Sequence, residues 1–155
     1  MKPEQQRIAI AEACGWTWKQ AKNSAHHTWH RPDGSFTTIP LWHTDPQPSK
    51  EVYGEEWLPD YLNDLNAMHE AEKVLTEEQH RRFSWHLVQV TDDNYRTWSA
   101  FEYDPLSQVF ERRTIRDLTP SVWEMSLGDV QACLRATAAQ RAEAFLRTLN
   151  LWTES

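Results

Sequence analysis

Tyr61, Asp64, Asn66 and His69 crowd the approach to one helix, and together they carry the groups that hold a planar, charged ligand. The spacing predicts a helix from about residue 64. Its first-turn N–H groups lack intrahelical partners, which makes that end receptive to an anion. Arg141 lies near the start of a second helix, on its polar side. If the two helix starts face each other, a guanidinium, aromatic rings and amide donors converge. A nucleotide-like anion needs that set: rings for stacking, N–H and Arg for phosphate. Trp16, Trp18 and Trp29 are the rings expected beside it, because short connections place Gly15-Trp16 and Thr137 at strand–helix junctions. The plain alternative is that Asp64 only caps, Asn66 only ties a loop, and Arg141 pairs with Glu143 or a carboxylate elsewhere.

Other chemistry was sought in the residue pattern. The sequence has no Cys-x-x-Cys, no His-Glu-x-x-His, no Gly-x-Ser-x-Gly and no Walker loop. His69-Glu70 is followed a turn later by Lys73, not by a second His. His26, Thr28 and His30 share one face of a strand, with His43 a candidate neighbour, but no acid or cysteine completes a ligand set. No metal and no cofactor is therefore expected. Asp92-Asp93, Glu55-Glu56 and Glu77-Glu78 are adjacent pairs whose side chains point apart, so none implies acid–base catalysis. Cys133, between Ala132 and Leu134, reads as a small buried residue and not a nucleophile. The expectation is a protein that binds and does not catalyse.

The elements that position these residues follow from caps and periodicity. Pro3 and Glu4 open a helix over 3–14, with Ile8, Ala11 and Cys14 on one stripe and Gly15 as its stop. Trp16-Thr17-Trp18 starts a strand. Residues 26–39 predict a hairpin around Asp33-Gly34. Residues 40–60, with four prolines, predict a connecting loop in which Trp42, Tyr53 and Trp57 pack down. A helix over 64–75 is capped by Asp60 or Asp64, with Leu65, Met68, Glu72 and Leu75 aligned and Glu70–Lys73 paired. Thr76 to Gln79 is a capping box. The stretch 84–91 reads as a helix on cap and spacing, though its β-branched residues also suit a strand. Residues 95–103 alternate as a strand, with 108–115 as the return. Residues 118–128 read as irregular and 130–134 as a short strand or a helical turn. The last helix, 138–149, has Thr137 and Gln140 as its capping box, an Ala142, Phe145, Leu146, Leu149 face, and Asn150 as its stop.

Composition bounds the class. The 155 residues fit one domain, 1–155. Sixteen Lys and Arg against 23 Asp and Glu leave a net charge of −7, which argues against nucleic acid as a partner. Mean hydropathy is −0.76, and no apolar run approaches a membrane span. No signal peptide is expected, and two cysteines make no disulfide framework. Nine tryptophans are the conspicuous excess. Most serve packing; some could line a pocket or a partner surface.

Two segments read together resemble a known family: Pro59-Asp60-Tyr61-Leu62-Asn63-Asp64-Leu65-Asn66-Ala67-Met68, and Ala136-Thr137-Ala138-Ala139-Gln140-Arg141-Ala142-Glu143-Ala144-Phe145-Leu146. With Gly15-Trp16, they resemble the phage ABA sandwich domain family of small phage and prophage proteins. The resemblance covers residues 3–20, 58–76 and 136–150. It implies an α+β fold, a single-domain layered α/β/α-type sandwich with a small antiparallel or mixed sheet. It also implies a phage accessory protein in the cytoplasm of a bacterial host. The expected function is binding of a nucleotide-like small molecule, with sequestration of a host immune signal as one use. The alternative is a protein-binding inhibitor of a host defence factor, acting through exposed tryptophans and the 40–60 loop. Homo-oligomerisation stays open.

Overall fold

The computed structural model describes residues 1–21, 26–35, 49–91, 99–104, 109–114 and 127–154; for both strands beyond residue 98, and for residues 127–129 and 132, it describes the backbone alone. Among the described residues, six helices and two hairpins make a mixed α+β fold.

Helix α1 (Pro3–Ala13) starts on Pro3, whose missing N–H costs nothing in a first turn, and carries Glu4 at the positive end of the helix dipole. It buries Ile8, Ile10 and Ala11. Gly15 ends it at φ +87°, a left-handed geometry that a side chain would strain. The chain then enters β1 (Thr17–Gln20), which pairs antiparallel with β2 (His27–His30), Trp18 lying opposite Trp29 and Gln20 opposite His27. Past β2, the backbone turns over Arg31–Ser35: Arg31 N–H donates to the Ser35 carbonyl at 2.7 Å, and Asp33 accepts from the Ser35 hydroxyl and N–H. The expected Asp33-Gly34 turn is present. The strand partner seen for β2 is β1, whereas the return strand over 36–39 lies outside the described residues.

The loop expected over 40–60 is corrected over its second half. Residues Lys50–Trp57 form helix α2, capped by the Ser49 hydroxyl on Val52 N–H and carrying Glu51 in its first turn. The prolines that suggested a loop stop at Pro48 and resume at Pro59, leaving room for two turns between them. Residues 40–48, with Trp42 and His43, lie outside the described residues. Helix α3 (Leu65–Glu72) is capped by Asp64, not Asp60. It is shorter than expected: Lys73, Val74 and Leu75 continue with tighter three-residue hydrogen bonds. Helix α4 (Glu77–Thr91) takes in the ambiguous stretch 84–91 and buries Phe83, Leu87 and Val88. Its cap, Thr76 with Gln79, is formed in both directions. β3 (Ser99–Asp104) and β4 (Val109–Thr114) form the second antiparallel hairpin, as the alternation predicted. Residues 95–98 and the Asp92-Asp93 pair lie outside the described residues. A further correction concerns 127–135. Helix α5 (Leu127–Arg135) replaces the irregular end at 127–128 and the strand alternative at 130–134.

Helix α6 (Ala138–Thr148) is the hub. It packs against α1, α3 and α4. Contact on three sides explains why Ala138, Ala142, Ala144, Phe145, Leu146 and Thr148 are all buried, a wider face than the one read from periodicity. Small alanines let neighbouring helices approach, and each fully buried Phe or Leu contributes about 1.5–3 kcal/mol. The buried Thr148 hydroxyl is satisfied by the Ala144 carbonyl at 2.8 Å. Asn150 stops the helix at φ +57°.

Candidate functional site

The residues singled out in the sequence separate into two groups. The first gathers on the β1–β2 hairpin. Antiparallel register places Trp18 and Trp29 side by side on one face, with His27 on the same face. The Trp18 ring lies 6.0 Å from His27, nearly parallel at 21°, and tilts against Trp29 at 5.5 Å and Tyr53 of α2 at 5.6 Å. Trp29 is fully buried, so it can support a surface but not form one. Trp16 and Trp18 are half-buried. Two cations sit on these rings: the Arg31 guanidinium 5.8 Å from the Trp16 centroid, and Lys50 Nζ 5.4 Å from that of Trp29.

The second group gathers where α3, α5 and α6 meet. Arg141 donates from Nε and Nη2 to the two carboxylate oxygens of Glu72, at 2.8 and 3.2 Å, and from Nη1 to the Cys133 carbonyl at 3.3 Å. Both side chains are about 15% exposed. The guanidinium also lies 5.8 Å from the Phe83 ring. Burial pushes the Glu72 carboxyl above its ordinary value; Arg141, and more weakly His69 and His80, oppose the shift. Glu72 ends α3, so Arg141 meets the last turn of that helix. Asp64 begins it, about 12 Å away at 1.5 Å per residue. The Asp64 carboxylate is taken by the Asn66 N–H at 2.9 Å, and Asn66 and His69 are exposed. The two helix starts are therefore not brought together around one ligand position. Cys133 is half-buried, more open than its apolar neighbours suggested.

Tyr61 joins the first group from beneath. It is 3% exposed and meets the side chains of both Trp16 and Cys14. Burial pushes the Cys14 thiol up to about 11, so it stays protonated at neutral pH and is a poor nucleophile. Asp60, beside it in sequence, binds Arg7 at 2.9 Å. Burial works to raise the Asp60 carboxyl, but Asn63 and Arg7 outweigh it and hold the group below its ordinary value.

Charge pairing separates the two groups further. Arg141 is spent on Glu72, Arg7 on Asp60 and Lys50 on Glu12. Arg31, just past β2, and Lys19, on the face of β1 opposite Trp18, are both exposed and take part in no ion pair among the described residues. Arg31 adds only a minor share to the lowering of Asp33, which owes more to Ser35. No protein-family model matches the chain, no curated protein matches it, and no solved structure matches it.

Three residues of this face escaped the sequence reading, His27, Arg31 and Lys50, while Tyr53 packs down as expected. Arg31 was legible only as a turn residue. The β1–β2 register, which no local pattern prints, brings it over Trp16. Among the described residues, no three His, Cys, Asp or Glu side chains are grouped to hold a metal ion. Among the same residues, no helix is long and apolar enough to cross a membrane. On α4, Trp85 Nε1 and His86 Nδ1 are buried with no hydrogen-bond partner among the described residues. They are shut off from solvent, so a ligand does not reach them as they stand.

Proposed function

We propose that the protein is a non-catalytic binder of a nucleotide-like small molecule, and that the ligand lies on the β1–β2 hairpin face. The observation that carries this reading is the coincidence of the half-exposed Trp16 indole with the Arg31 guanidinium over it, a cation in no ion pair among the described residues, in a chain whose net charge is −7. A planar heteroaromatic ring gains from stacking on Trp16 or Trp18, and its phosphate gains from the guanidinium. The contributions assigned in the sequence to Asp64, Asn66 and Arg141 pass to Arg31, because the former are occupied by a cap and a largely buried ion pair. Sequestration of a host signal, which the phage resemblance implies, is the use this reading suggests.

The test is native mass spectrometry of protein purified from bacteria, followed by titration with AMP monitored by tryptophan fluorescence. A retained small molecule, or saturable quenching that Arg31→Ala weakens about tenfold or more, supports the reading. A co-purifying host polypeptide with no response to nucleotides would move the function to the alternative, an inhibitor that binds protein through this same face.

A further inference from the structure

The two half-buried indoles of the hairpin carry different neighbours. Trp18 pairs with Trp29 and Gln20 with His27, so all four share one face. One step past the Thr17–His30 pair, the same alternation sets Trp16 opposite Arg31. The Arg31 guanidinium lies 5.8 Å from the Trp16 centroid. Trp18 is held from within: Trp29 and Tyr53, both buried, tilt against it at 57° and 42°. Among the described residues, His27 is the one ring nearly parallel to Trp18, at 21° and 6.0 Å, and His27 is exposed.

A flat heterocycle stacks on two rings at once only if they are close to parallel. Trp18 and His27 meet that condition, and the tilted rings do not. A ring held between two others needs two contacts of about 3.5–4.0 Å, so the outer pair must stand about 7–8 Å apart. The Trp18–His27 centroids stand at 6.0 Å. Trp18 is packed and His27 is exposed, so His27 makes the opening by turning about its own side-chain bonds. The phosphate fixes which indole the base takes. A base on Trp16 would compete with Arg31 for that ring, whereas a base on Trp18 leaves Arg31 where it is. Trp18 and Trp16 are two residues apart, about 7 Å along a strand. A nucleoside monophosphate spans such a distance from its base to its 5′-phosphate.

We propose that His27 and Trp18 close on the two faces of a heteroaromatic base, while Arg31 takes the 5′-phosphate of the same nucleoside monophosphate. This rests on the binding reading above and deepens it. It makes His27 a ligand contact and chooses Trp18 over Trp16 as the stacking ring.

The experiment is calorimetric titration of AMP into the wild type, His27→Ala and His27→Phe, with circular dichroism to show that each is folded. His27 is exposed, so neither substitution removes core packing. His27→Ala weakens AMP about fivefold to a hundredfold, the range for one lost base-stacking contact. His27→Phe restores a flat ring and holds affinity within about threefold of the wild type. A wild type that binds AMP and a His27→Ala that binds it equally overturn the ring clamp and leave the binding reading standing. A His27→Phe as weak as His27→Ala overturns it as well, because the imidazole would then act by hydrogen bonding or charge. A wild type that ignores AMP sinks the binding reading, and the clamp with it.

Discussion

Arg31 and Arg141 are the same side chain put to opposite ends. Arg141 sits 15% exposed between α3, α5 and α6, with its donors shared between Glu72 and the Cys133 carbonyl. Arg31 stands exposed just past the end of β2, beside the start of β1, over Trp16 and outside any ion pair among the described residues. A guanidinium at a helix start looks like an anion site in a sequence. Whether it is one depends on whether a carboxylate is buried with it. Glu72 answers that for Arg141, and nothing comparable is seen at Arg31.

The largest effect that would break this contrast is on stability. Arg141→Ala strands a largely buried Glu72, and loss of one partner of such a pair costs about 3–5 kcal/mol. Urea unfolding should show it as a large drop in midpoint. Next comes Arg31→Ala, which should leave stability within about 0.5 kcal/mol, as surface changes do. Its cost falls on binding instead, about 1.5–3 kcal/mol from a charge-assisted contact, read by AMP titration. A large stability loss at Arg31 would erase the distinction between the two arginines.

A smaller effect sharpens the contrast from the structural side. Thr137 caps α6 one turn before Arg141, with its hydroxyl on the Gln140 N–H at 3.2 Å. Thr137→Ala should cost about 1 kcal/mol in thermal or urea unfolding and leave AMP binding unchanged. The smallest is a pH dependence. The raised Glu72 carboxyl means the folded state holds that proton more tightly than the unfolded chain. Its contribution to stability therefore declines as pH rises from about the ordinary carboxyl value of 4.5 through the folded value. Asp60 is lowered, so its contribution is present above about 3.8 and is lost as pH falls below that. Glu72→Gln should flatten the first slope and Asp60→Asn the second, in urea midpoints taken from pH 3 to 6. Identical slopes in wild type and Glu72→Gln would contradict the burial assigned to that carboxylate.

Local chemistry was legible where the signal was local. The Thr137–Gln140 and Thr76–Gln79 boxes, the Glu70–Lys73 and Glu143–Arg147 pairs, and the stops at Gly15 and Asn150 all stand where the sequence put them. Helix α2 was hidden because flanking prolines outweighed a weak, eight-residue helix with Gly54 inside it. Gly54 is there for closeness: a Cβ would come within 3.2 Å of Ile8. The partner of Arg141 was hidden for a different reason. Glu72 is 69 residues away, on a stripe that read as apolar, and no periodicity pairs two helices across that distance. The aromatic face was half legible: the tryptophans stood out by number, but the register that sets Trp18 against Trp29 is a tertiary fact.

Isothermal titration of AMP into the wild type, Arg31→Ala and Arg141→Ala, below the unfolding temperature of each, tests the central claim most directly. The hairpin site predicts saturable binding by the wild type, a loss of about tenfold or more in Arg31→Ala, and near wild-type affinity in folded Arg141→Ala. Binding that survives Arg31→Ala and disappears with Arg141→Ala would return the anion site to the helix junction and contradict the account.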